Sequence, residues 1–148
     1  RHVSLDEVVT DCAGAAGVPA ESRGTSITVK SPEGVQIQGD EELLRRMVMN
    51  VLHNAIRHSP VDQAVHVEVA VENEEEIIRV RDSGPGLAPE HIERVFDRFY
   101  QVPTDENRLR GSGLGLAIVR RIIAEHGGSI EAGDNTPTGT VFTVELPV

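Results

Sequence analysis

Cysteine is almost absent from this chain of 148 residues: Cys12 stands alone. No intrachain disulfide can form, and a cytosolic setting fits such a sequence better than a secreted one. Lysine is as scarce, with Lys30 the only one, so nearly all positive charge is arginine. That excludes a P-loop, whose glycine-rich turn needs a lysine directly behind it. Long apolar runs are missing too. None approaches the roughly 20 residues of a membrane helix, and no basic-then-apolar leader opens the sequence. The formal net charge of −10 leaves no basic footprint for a nucleic-acid backbone. Six histidines are present, but they lack zinc spacing; His53 and His58 are five apart and do not share a helix face.

What is present is the balance of a globular domain, 39% hydrophobic and 26% charged. Residues 1–148 suit one domain with a substantial core. The first residue is Arg1 rather than Met, which reads as a fragment of something longer. "VSLDEVVTDCAGAAG" (3–17) predicts a helix ended by glycine. "TSITVK" and "VQIQG" predict short strands on either side of the turn "SPEG". Asp40 caps a helix reaching about Ser59, where Pro60 follows the stop. Residues 64–72 alternate with period two and predict a half-buried strand, which "NEEE" turns into an antiparallel partner over 77–82. "PEHIERVFDRFY" predicts a short helix, and 101–112, polar and aperiodic, a mobile loop. An apolar helix over 114–128 with a glycine pair behind it leads to a closing hairpin, "SIEAGD" and "GTVFTVELP". Interleaved elements with dominant hairpins predict a two-layer α/β sandwich, an α+β arrangement with a mixed sheet and about three helices on one face.

Three stretches carry chemistry. In "NVLHNAIRH" the residues Asn50, Asn54, Arg57 and His58 fall within about a 100° arc of one helix. Leu44, Val48, Val51, Leu52 and Ala55 occupy another arc and face the sheet. An asparagine oxygen suits a Mg²⁺ that keeps water and phosphate ligands, and arginine suits phosphate. The same stripe also reads as the plain polar edge of a core helix. In "DSGPGL", Asp82 at a strand end can accept from an exocyclic amine, and Gly84 and Gly86 let backbone approach a flat ring; an ordinary turn uses the same residues. "GSGLGLAIV" opens a helix with Gly111, Gly113 and Gly115, freeing amides for phosphate. Its spacing is not the Rossmann fingerprint. Lys30 in "ITVK" resembles the strand lysine of protein kinases, but HRD and DFG partners are absent. Phe96, Phe99 and Tyr100 read as packing residues, and Arg108 and Arg110 as a solvated face that could also reach phosphate.

Together and in this order, the stretches resemble the catalytic ATP-binding domain of bacterial two-component sensor histidine kinases, in the superfamily that includes gyrase, Hsp90 and MutL. "NVLHNAIRHS" is similar to the N box, "DSGPGL" to the first glycine box, "FDRFY" to the Phe-containing box and "GSGLGLAIV" to the second glycine box. The resemblance runs from about Val3 to Val148. It implies the Bergerat ATP-binding fold, with ATP and Mg²⁺ as cofactors. It implies Asn50 and Asn54 as the catalytic pair, Asn54 as the main Mg²⁺ ligand and Asn50 assisting. Arg57 would contact phosphate and His58 would take the place of an aromatic ring over adenine. Asp82 would bind the adenine amine, supported through water by Thr140, with Gly84 and Gly86 shaping the floor. Gly111, Gly113 and Gly115, with the intervening amides, would close the lid over the triphosphate, and Leu87, Tyr100, Arg110, Ser112, Leu114 and Leu116 would also bind ATP.

Gyrase-like ATPases resemble this motif but carry glutamate where Asn50 stands, as the base that activates water. An amide lacks that basicity, whereas an attacking imidazole needs less activation, so Asn50 favours kinase over hydrolase. The alternatives are a gyrase- or Hsp90-type ATPase module, an anti-sigma serine kinase of the same fold, and a degenerate binding module; the intact boxes argue against the last. No histidine here has the context of a phosphoacceptor, His91 and His126 included. The resemblance therefore implies that the acceptor and dimerisation domain lies elsewhere in the protein, with a response regulator downstream. The fragment would bind ATP as a monomer without phosphorylating itself. It would contact neither membrane nor nucleic acid, in a cytoplasmic position below an inner-membrane anchor.

Overall fold

The computed structural model describes residues 1–22, 24–32, 34, 36–86, 95–97, 115–135 and 138–147. Their elements run β1 (His2–Ser4), α1 (Leu5–Ser22), β2 (Ser26–Lys30), β3 (Gln36–Gln38), α2 (Glu41–His58), β4 (Ala64–Glu72), β5 (Glu75–Arg81), α3 (Gly115–Glu125), β6 (Ser129–Asp134) and β7 (Thr140–Pro147). Five strands form a mixed sheet in the order β2-β4-β5-β7-β6. Only β2 and β4 pair in parallel. A parallel pair needs a long crossover, and α2 lies within the chain that joins them.

The period-two patterns decide which face is covered. Val65, Val67 and Val69 of β4, Ile78 and Val80 of β5, and Phe142, Val144 and Leu146 of β7 are all buried in one core with the helices. Register puts them in rows, Val67 opposite Val80 and Val80 opposite Phe142. The other face carries Glu68, Glu72, Arg79 and Arg81, with Arg79 bonded to Glu72 at 3.0 Å and Glu68 at 3.4 Å. Such exposed pairs contribute about 0.2–1 kcal/mol each, against about 2–5 kcal/mol for one buried leucine such as Leu52. The core decides the fold.

Helix α2 forms where its pattern places it. The Asp40 carboxylate accepts from the Leu43 N–H at 3.1 Å as N-cap, and Leu44, Val48, Val51, Leu52 and Ala55 are buried, joined by Met47 and Ile56. The β4–β5 hairpin is tighter than "NEEE" suggests: Asn73 and Glu74, at φ 52° and 63°, form a two-residue loop, so β5 begins at Glu75.

Two expectations change. Helix α1 does not stop near Gly17 but continues to Ser22. Ala16 and Ala20 are wholly buried, and this tertiary burial outweighs poor local propensity. The helix ends instead at Gly24, φ 76°. There the Thr25 N–H reaches the Ala20 carbonyl and the Gly24 N–H that of Glu21, both at 2.9 Å, in a Schellman arrangement. The strands flanking "SPEG" do not belong to one sheet either. β2 is the edge of the five-stranded sheet, whereas β3 pairs antiparallel with β1, a segment expected to begin the first helix. Val3 and Ile37 meet in that pair, each 2% exposed, and their burial selects a partner that alternation alone leaves open. Of "PEHIERVFDRFY" only Val95, Phe96 and Asp97 are described, in a turn; the rest, and the loop expected over 101–112, lie outside the described residues.

Candidate functional site

One end of the sheet holds the candidate site. β5 ends at Arg81, and the next residue, Asp82, is 2% exposed. Its Oδ1 accepts from the Gly84 N–H at 2.9 Å and the Thr140 N–H at 3.2 Å. Its own N–H donates to the Thr140 carbonyl at 3.0 Å, and its carbonyl accepts from Asn135 Nδ2 at 2.8 Å. No hydrogen bond engages Oδ2 among the described residues. Burial pushes the Asp82 carboxyl above its ordinary value of 3.8, opposed by the bonds from Gly84 and Thr140.

Glycine is required at two points of this corner. A Cβ on Gly84 would stand 2.3 Å from the His58 carbonyl oxygen, so the bare backbone lets the chain after Asp82 pass the end of α2. This close approach to a helix end is a constraint on Gly84 that the motif by itself does not reveal. Gly139 has φ 113°, and a Cβ there would come within 1.9 Å of the Asp82 carbonyl oxygen.

Asp82 opens onto a cleft lined by Asn54, His58, Asp82, Pro85, Gly86, Val95, Thr140 and Phe142. Five of these were expected from the motifs: Asn54, His58, Asp82, Gly86 and Thr140. Thr140 does meet Asp82, through its backbone N–H and carbonyl. Asn50 and Arg57 are half-buried on α2 but do not line the cleft. Gly115 is exposed at the start of α3, and Leu116 packs against the core. Leu87, Tyr100, Arg110, Gly111, Ser112, Gly113 and Leu114 lie outside the described residues.

The walls Pro85, Val95 and Phe142 were not singled out from the sequence. Phe96, read as packing, meets Phe142 edge to face with centroids 6.0 Å apart, which sets Val95 at the cleft. Asn135 carried no signal beyond that of a turn residue. The cleft thus combines apolar walls with one carboxylate oxygen open to a ligand, a combination that suits a flat base bearing a donor amine. Among the described residues no group of three or more His, Cys, Asp or Glu could hold a metal ion. The donors on offer are amide oxygens, which suit Mg²⁺ shared with phosphates and water.

Comparison with known proteins agrees with this geometry. A family profile described as histidine kinase-, DNA gyrase B- and HSP90-like ATPase matches residues 39–148. The chain is 37% identical over 146 residues to the sensor-like histidine kinase SenX3 of Mycolicibacterium smegmatis, covering 98% of this chain and 38% of that protein. It is 39% identical over 129 residues to the sensor histidine kinase CusS of Escherichia coli O157:H7, covering 86% of this chain and 26% of that protein. The chain thus spans well under half the length of these relatives. Among solved structures, the mycobacterial sensor histidine kinase MprB superposes with a TM-score of 0.87 at 30% identity, over 99% of this chain and 96% of that one. Full-length ShkA in complex with AMPPNP gives 0.85 at 28%, over 99% of this chain and 30% of that one.

Proposed function

The chain belongs to the family of histidine kinase-, DNA gyrase B- and HSP90-like ATPases, and from that premise we propose that it is the ATP-binding catalytic domain of a sensor histidine kinase. The γ-phosphoryl group of ATP passes to a histidine on a separate helical domain, and from there to a response regulator. The observation that carries this reading is Asp82, whose Oδ1 is tied down by two backbone N–H groups while Oδ2 is left to a cleft shared with Asn54 and His58.

In this reading Asp82 Oδ2 accepts from the exocyclic amine of adenine, and Gly86, Val95 and Phe142 enclose the ring. Guanine presents a carbonyl at that point and meets a carboxylate, two acceptors opposed. Asn54, with Asn50 one turn earlier, offers neutral oxygens to Mg²⁺, which when bound supplies charge neutralisation for the transferring group. Arg57 serves the phosphates. Leu87, Tyr100, Arg110, Gly111, Ser112, Gly113, Leu114, Gly115 and Leu116 complete the nucleotide's surroundings. The AMPPNP complex of ShkA supports a triphosphate ligand for this fold. Asn50 cannot take a proton from water, which supports transfer to an imidazole over hydrolysis.

Calorimetric titration with ADP, GDP and Mg²⁺·ATP tests this, together with phosphate release. Binding of the adenine nucleotides, at least about 100-fold preference over GDP, and background hydrolysis are expected. Equal affinity for ADP and GDP would overturn the base reading, and rapid turnover of ATP would favour the ATPase module.

A further inference from the structure

Asp82 lies just beyond the β5–β7 ladder, whose last register pair is Arg81 with Val141. Its carbonyl accepts no bond from that ladder. Asn135 supplies one from 53 residues away, with Nδ2 donating at 2.8 Å. The Asn135 backbone N–H separately donates to the Gly139 carbonyl at 3.0 Å and closes the β6–β7 turn. Any residue other than proline could make that second bond. The first needs a side-chain donor.

The Asp82 carbonyl is thereby held from two sides. The Gly139 backbone lies so close that a Cβ would come within 1.9 Å of the carbonyl oxygen, and the Asn135 amide bonds that same oxygen. With N–H and Oδ1 also engaged, the peptide plane after Asp82 has little freedom to rotate. The direction of Oδ2 into the cleft depends on that plane, because Gly84, which anchors Oδ1, sits two residues further along it.

We propose that Asn135 is a positioning residue for base recognition: its side-chain amide, bonded to the Asp82 carbonyl, aims Asp82 Oδ2 at the exocyclic amine of the bound purine. The inference rests on the reading of Asp82 as the adenine acceptor. Asn135 itself touches no ligand. Its loss weakens recognition of the amine specifically, since the walls of the cleft and the phosphate side stay as they are.

The test compares ADP with purine riboside 5′-diphosphate, which lacks the amine, by calorimetry on the chain itself. Wild type binds ADP more tightly. In Asn135→Ala the ratio of the two affinities falls by about fivefold, the size of one weakened hydrogen bond, while affinity for the amine-free analogue holds. Asn135→Asp, nearly isosteric and equally suited to a turn, has no donor and shows the same fall, so it serves if the alanine variant does not fold. An unchanged ratio in a folded variant, with both affinities reduced alike, makes Asn135 a structural turn residue and overturns the proposal. A wild type without preference for ADP overturns the Asp82 reading itself, and this inference with it.

Discussion

Strand β5 has a buried carboxylate near each end, and the two could hardly be treated more differently. Glu76 and Asp82 are each 2% exposed and stand about 20 Å apart along the strand direction. Asp82 has two backbone donors on one oxygen and a cleft before the other. Glu76 shares the inward face of Ile78 and Val80, beside Leu146 of β7, and its Oε2 is buried with no partner among the described residues. Burial, with a smaller push from Asp6 on α1, raises the Glu76 carboxyl to about 7. Burial of a carboxylate is therefore no sign of a site. Partners on one side and open space on the other are what separate a binding group from a misfit in the core.

The largest effect expected from this contrast is on binding. Asp82→Asn keeps an oxygen for Gly84 and Thr140 but turns a donor toward the amine, so ADP affinity falls by about 100-fold while thermal stability stays near wild type. Calorimetry beside a melting curve checks both halves; retained affinity would place the base elsewhere. Glu76→Gln does the reverse. In the folded chain Glu76 holds its proton between 4.5, its ordinary value, and about 7, whereas the unfolded chain has released it. Wild-type stability is therefore full below 4.5 and declines as pH rises through that window. The glutamine variant lacks this decline and at pH 8 is more stable by about 3 kcal/mol, with ADP affinity unchanged. Denaturant titrations at pH 5 and pH 8 read the difference, and parallel pH profiles for the two proteins would remove Glu76 as its cause.

The smallest effect belongs to the end away from the cleft. His126 Nε2 accepts from the Asp40 N–H at 3.0 Å, so Nδ1 carries the proton it donates to the Ile122 carbonyl at 2.8 Å. A Cβ on Gly39 would stand 2.6 Å from the ring. His126→Ala removes this clasp between the start of α2 and the end of α3, lowering stability by about 1 kcal/mol without changing the ratio of ADP to GDP affinity. A changed ratio would mean that the two ends communicate.

Much of this arrangement could be read before any coordinates, for reasons that are local. Helix α2 announced itself by a cap and a 3.6-residue stripe and β4 by alternation; the five positions that the stripe names on α2 are all buried, and Met47 and Ile56 join them. Asp82, Asn54, His58, Gly86 and Thr140 were found through motifs, because such residues keep their spacing within short segments. Val95, Phe142 and Asn135 escaped: each looks like an ordinary packing or turn residue until a distant segment is folded against it. Gly84 has a second constraint that no motif shows, a helix carbonyl that only the packed α2 brings there.

Length, charge and residue pattern by themselves determined that this chain makes amphipathic helices and half-buried strands, because each element needs only its own periodicity and caps. Tertiary structure alone decided that α1 runs past two glycines, that β3 pairs with β1 and not with β2, and that Asp82, just beyond β5, meets donors while Glu76 within it meets apolar walls. Those outcomes depend on surfaces brought together from far apart in the chain. A local pattern records which side of an element is buried, but not what it is buried against.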